Sequence, residues 1–231
     1  MSSTIDTFWH SEYEELVERA LSDAPVLRDL RRARVPAGDP RRLVLRHYAE
    51  VSTSLNLKLP SRLRLCPPDA VTAKQFLWRL YAEEQGDFQP GADHASLFAR
   101  FCRSLGLTDD DMAAEWEHYW PAYRYMLTDL PSHSVLVREL TICPVWESVI
   151  LRLGAGYLQA IQQAFPAADP DFTYFTVHAT VDTHHSVAAL SVLQEYVRSD
   201  EDLAIVRTTV QSTLVTDNPW AIRVEADGSG S

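Results

Sequence analysis

The sequence predicts an all-α protein, and three observations carry that prediction. Glycine is scarce, at 8 of 231 residues, which disfavours a glycine-punctuated β architecture or a phosphate-cradling nucleotide loop. Helix-start signals recur along the chain. Between them, apolar residues repeat at the three- and four-residue spacing of one helical face. Together these place helices at approximately 6–21, 25–34, 40–57, 69–85, 94–105, 109–127, 133–165, 170–198 and 201–215. The expectation is a single-domain bundle of about seven to nine helices over residues 1–226, followed by a flexible tail at 227–231.

The punctuation justifies individual elements. Pro25 and Pro40 stand at or near first helical positions, where the missing N–H is no loss, and Asp39 supplies an N-cap to the second. Thr108 and Asp111 have the spacing of a capping box, and Asp109-Asp110-Asp111 sets three negative charges at the positive end of a helix dipole. Pro144 is expected to kink or break the helix over 133–165. The Thr- and Val-rich end from Val206 to Val215 is compatible with a helix and also with a strand.

Composition excludes several function classes. With 21 basic against 32 acidic residues the net charge is −11, the wrong sign for a nucleic-acid partner. The cluster Arg28, Arg31, Arg32, Arg34, Arg41 and Arg42 reads as the solvated face of two short helices. Cys66, Cys102 and Cys143 are scattered and odd in number, which disfavours a disulfide framework or a structural zinc site and fits a reducing cytoplasm. Met1 to Leu16 is acidic and lacks the apolar core of a signal peptide, and no apolar run approaches the roughly 18 residues of a membrane span.

The segment from Phe172 to His185 is the most informative. On a helix turning 100° per residue, His178, Asp182 and His185 fall within roughly 60° of one another. Two imidazoles and a carboxylate then leave one stripe, as a metal ion requires, whereas the neighbouring His184 lies off it. The competing reading is a polar stripe facing water or a histidine satisfied in the core. Other ligand types lie on inward faces: Glu84 with Leu77, Leu80 and Tyr81; His94 with Leu97, Phe98 and Phe101; Glu147 with Ile150 and Leu151. Glu83 shares its face with Arg79 and is expected to be an exposed partner of it. A buried carboxylate without a counter-charge is costly, and metal ligation resolves that cost. Three carboxylates and three imidazoles on four helices are the donor set that two iron ions take.

These residues resemble those of the heme-oxygenase-like di-iron oxidases and oxygenases, relatives of the TenA and PqqC folds. The resemblance spans roughly residues 40 to 200. It rests on Glu84-Gln85-Gly86, on His94 with Leu97-Phe98 and Leu105-Gly106-Leu107, and on the His178, Asp182, His185 helix behind Tyr174-Phe175. It implies that Glu84 and His94 bind one iron with help from the last motif, and that Glu147 bridges or completes the pair, with Glu139 as its competitor. It further implies two Fe(II) per chain, O₂ as co-substrate, and oxidation of a small amino-acid-derived metabolite by N-oxygenation, desaturation or C–C cleavage, as in natural-product biosynthesis. A substrate carboxylate would call for an arginine, and Arg138 and Arg152 are the candidates. No nucleic-acid or membrane partner is expected, and a homodimer is compatible. The alternatives are a metal-free TenA- or PqqC-like enzyme, for which Cys143 is the one tempting nucleophile, and a non-catalytic helical binding protein.

Overall fold

The computed structural model describes residues 7–215, apart from the side chains of residues 180–183 and 215; the expected tail at 227–231 lies outside this range. No strand occurs among the described residues. A π-helical turn, Phe8–Tyr13, runs into α1 (Glu14–Asp23), followed by α2 (Pro25–Arg31) and α3 (Pro40–Thr53). A second π-helical turn, Ser54–Lys58, leads into α4 (Leu59–Leu65) and then α5 (Val71–Glu84). After a 3₁₀ turn at Gly86–Phe88 come α6 (His94–Ser104) and α7 (Asp109–Tyr119). A further 3₁₀ turn, Trp120–Tyr123, precedes α8 (Tyr125–Thr128), α9 (His133–Ala164), α10 (Thr173–Tyr196) and α11 (Asp200–Val215).

The described helices exceed the expected seven to nine because two short ones interrupt segments read as continuous or as connections. Pro60 fits the first turn of α4, where its fixed φ suits the helix and its missing N–H costs nothing. The four-residue α8 is a single turn past Pro121. The expected starts hold: the Asp39 side chain accepts from Arg41 N, and Thr108 and Asp111 form a reciprocal capping box.

The ambiguous last segment is helical. Ser199 and Asp202 cap it reciprocally, each side chain accepting from the other's backbone N–H. Leu203, Val206, Val210 and Leu214 then form a buried stripe at helical spacing, which a strand would split between two faces. Pro144 does not break α9, which runs about three turns before it and more than five turns after it within His133–Ala164. The bond that Pro144 cannot donate is a local loss, and Leu140, Val145, Val149 and Leu153 bury the helix on both sides of it.

One large core runs from Phe8 to Leu214. The long α9 is its axis, packed against α2, α10 and α11, while α3 packs against α6 and α7. Gly156 allows a close approach of α9 to α2: a Cβ there would collide with the backbone carbonyl of Leu30 in α2. The N-terminal helices are also tied to α9 by a Tyr13–Ser148 hydroxyl pair and by Arg152 to Glu14 at 2.7 Å. No helix among the described residues is long and apolar enough to cross a membrane.

Candidate metal centre

The centre begins at a sharp loop. α5 ends on Glu84, and Gly86 follows at φ +57°, a conformation other residues rarely adopt. A Cβ on Gly86 would sit 2.5 Å from the Ala92 carbonyl carbon, so the loop folds back more tightly than any side chain permits. The Asp93 carboxylate then caps α6 by accepting from Ser96 N at 2.8 Å. His94 becomes the first residue of α6, buried, with Nδ1 2.6 Å from Glu84 Oε2.

Helix α10 crosses the same region and turns one face inward. His178 stacks obliquely on His94, with ring centroids 4.3 Å apart, and Tyr174 lies 4.3 Å from His178 on the same face. Two turns beyond His178, His185 is buried with Nδ1 3.9 Å from Glu84 Oε1 and 3.7 Å from Glu147 Oε1 on α9. Asp182 occupies the intervening turn of α10; its side chain lies outside the described set.

Two groups of donor atoms result: Glu84, His94 and His178, and Glu84, Glu147 and His185. Within each, the donor atoms lie within 4.8 Å of one another. Glu84 belongs to both, offering one oxygen to His94 and the other towards His185. The residues fit metal ions on the structure's own terms. His185 Nδ1 is buried without a hydrogen bond, and its carboxylate neighbours stand too far for one. About 3–4 Å is instead the separation of two atoms that ligate one cation through bonds of about 2.0–2.2 Å. His94 Nδ1 likewise meets Glu84 without hydrogen-bond alignment. Mixed imidazole and carboxylate donors suit iron.

The electrostatics favour the charged forms of Glu84 and His185. Burial works to raise the Glu84 carboxyl, but His94, His178 and His185 outweigh it and leave it below the usual carboxylate range. Burial works to lower His185, yet Glu147, Glu83 and Glu84 hold it up at about 9. Burial pushes the Cys143 thiol up to about 11, so it is no thiolate nucleophile of the kind a metal-free mechanism would need.

Several sequence expectations are corrected. Glu139 does not compete with Glu147: it is buried between two guanidinium groups, Arg62 at 3.2 Å and Arg138 at 2.9 Å. Arg138 bonds Asp129 as well as Glu139, Arg152 bonds Glu14, and neither lines the cavity. Glu83 is not an idle surface acid, since its Oε2 lies 2.7 Å from His185 Nε2. His184 is exposed, as its position off the stripe required. Two residues went unnoticed. His47 on α3 is buried against Phe98, Tyr157 and Tyr174, and Arg62 on α4 reaches the same cavity. The apolar setting of Arg62, between Leu59, Leu63 and Leu65, was the available signal for it.

Comparison with known proteins places the chain in a family. A family model described as iron-containing redox enzyme covers residues 46–215. A stretch of 144 residues, 60% of this chain, is 25% identical to a protein of Nitrosomonas europaea named 4-aminobenzoate synthase. The match spans 55% of that relative, so the chain corresponds to little more than half its length. The family match takes in every helix that contributes to the two donor groups. With the all-helical, heme-oxygenase-like bundle, it shows that the chain belongs to the iron-containing redox enzymes.

Proposed function

We propose that this protein is a non-heme di-iron, O₂-dependent oxidase or oxygenase acting on a small amino-acid-derived metabolite, in natural-product biosynthesis. The single observation that carries the reading is the sharing of Glu84 between two donor groups, which is how one carboxylate serves two adjacent cations. Glu84, His94 and His178 would hold one iron; Glu84, Glu147 and His185 would hold the other, with Asp182 completing the set from its place on α10. Two Fe(II) ions, when bound, supply the electrons by which O₂ is activated.

The chain's own residues do the rest. Glu83 accepts from His185 Nε2 and so keeps Nδ1 directed at Glu84 and Glu147. Tyr174, Phe98 and His47 pack behind His178 and His94 and keep bulk water from that side. Beside the donors a cavity of about 90 Å³ opens, several times the 10–15 Å³ or so that admits one water. Val51, Leu59, Leu80, Trp146 and Ile150 give it apolar walls suited to the carbon skeleton of a small substrate. The relative named for 4-aminobenzoate synthesis agrees with a small acid that also carries nitrogen.

The test is anaerobic loading with iron(II), followed by measurement of bound iron and of O₂ uptake across a screen of free amino acids. The reading expects about two iron per chain and uptake that one class of compound accelerates. A chain that takes up no iron(II), or that is fully loaded and consumes no O₂, would overturn it.

A further inference from the structure

The cavity beside the candidate centre contains one arginine, Arg62, and no lysine among its described lining residues. Arg62 comes from α4, which the π-helical turn Ser54–Lys58 and Pro60 set at the cavity wall. It is only 6% exposed. Nε donates to Glu139 Oε2 at 3.2 Å, and Nη1 lies 3.7 Å from Cys143 Sγ. Nη2 has no hydrogen bond to any described residue.

Its neighbours engage that guanidinium through Nε and Nη1 only. Its partner Glu139 is shared with Arg138. The thiol of Cys143 is uncharged and accepts weakly. Of the three carboxylates on the wall, Glu84 and Glu147 belong to the donor groups and Glu50 is already satisfied. Both its oxygens lie 2.6 Å from Lys58 Nζ, and Tyr119 OH donates to one of them at 2.6 Å. A buried guanidinium with unused N–H groups on its outer edge calls for an acceptor, and the planar fork matches a carboxylate through two parallel bonds.

We propose that Arg62 is the specificity-determining residue of this cavity and holds the carboxylate of the substrate, so that the enzyme takes small carboxylic acids and rejects their amides. This rests on the oxidoreductase reading of the same cavity. With the carboxylate at Arg62, the rest of the molecule lies along Leu59, Trp146 and Ile150 towards Glu84, Glu147 and His178.

The experiment is anaerobic calorimetric titration of the full chain, as purified and after iron(II) loading, with benzoate and hexanoate against benzamide and hexanamide. At least one acid binds, and its amide binds about tenfold more weakly or worse. Arg62→Gln loses that preference, Arg62→Lys keeps part of it, and both retain the wild-type iron content. An amide that binds wild type as tightly as its acid overturns the proposal, as does failure of both acids to bind. Undiminished acid preference in Arg62→Gln overturns it too. The acid–amide comparison on wild type decides the matter even if Arg62→Gln, which strips Glu139 of a partner, does not fold. A chain that prefers acids but takes up no iron sinks the di-iron reading and leaves this one standing.

Discussion

Glu83 Oε2 and His185 Nε2 stand 2.7 Å apart, on the far side of the imidazole from the Nδ1 that faces Glu84 and Glu147. Adjacent carboxylates on one helix end therefore grip one histidine from both edges, and only one of them points into the donor groups. Because a ligating imidazole depends on the partner of its other nitrogen, Glu83→Ala should weaken iron binding about 10–100-fold. His184→Ala removes an exposed ring and should change stability by no more than about 0.5 kcal/mol. Anaerobic iron(II) titration of the two variants compares them directly; equal affinities would show that Glu83 orients nothing.

Glu84 and Glu147 should differ in how much metal they cost. Glu84 serves both groups and Glu147 one. Glu84→Ala is expected to abolish tight binding of both irons, and Glu147→Ala to leave one bound. Iron counted per chain after desalting checks this, and the reverse order would place the shared ligand elsewhere.

Gly86→Ala tests the loop that joins Glu84 to His94. The positive φ and the 2.5 Å approach to the Ala92 carbonyl carbon both oppose a methyl group. The substitution should destabilise by more than about 1 kcal/mol, lowering Tm by roughly 2–4 °C or more in a chain of this size. Iron affinity should fall with it, because His94 no longer meets Glu84. Calorimetry with and without iron(II) measures both effects, and an unchanged Tm would contradict the geometry.

His47 sets a pH dependence. Burial among aromatic rings holds its pKa down at about 3, with His178 adding to the effect, against about 6.5 for an unfolded histidine. The unfolded chain therefore takes up this proton first as pH falls. The His47 contribution to stability is complete above about pH 6.5 and is lost progressively from there towards pH 3. Urea unfolding of wild type and His47→Gln at pH 7 and pH 5 should show the larger acid loss in wild type. Equal losses would mean that His47 is not buried as the neutral ring.

What the sequence revealed and what it concealed divide along the reach of the interactions. Helix starts at Asp39 and Thr108 are set by contacts two or three residues away, so residue spacing is enough to find them. Glu84, His94, Glu147, His178 and His185 were legible because each shares a helical face with apolar neighbours, and the structure brings these five together. Glu139 and Glu147 lie on similar faces of one helix, and local spacing does not separate them. What separates them is Arg62, 77 residues before Glu139. Glu83 was misjudged for the same reason: Arg79 is near in sequence, but the bond is made to His185, 102 residues away. The division of Glu84 between two groups depends on four helices meeting, α5, α6, α9 and α10, which no single stretch of sequence contains.

The close crossing at Gly156 has a consequence for what counts as the unit of this molecule. The recognisable family region begins at residue 46, yet Leu27, Leu30 and Tyr13 are sealed against helices inside that region, and Tyr13 touches Ser148, the residue after Glu147. The boundary of the matched region and the boundary of the packed core therefore do not coincide. A chain trimmed to residues 46–215 would leave the α9 surface at Gly156 bare, and the first two helices act as a brace on the outside of the helices that carry the donor groups.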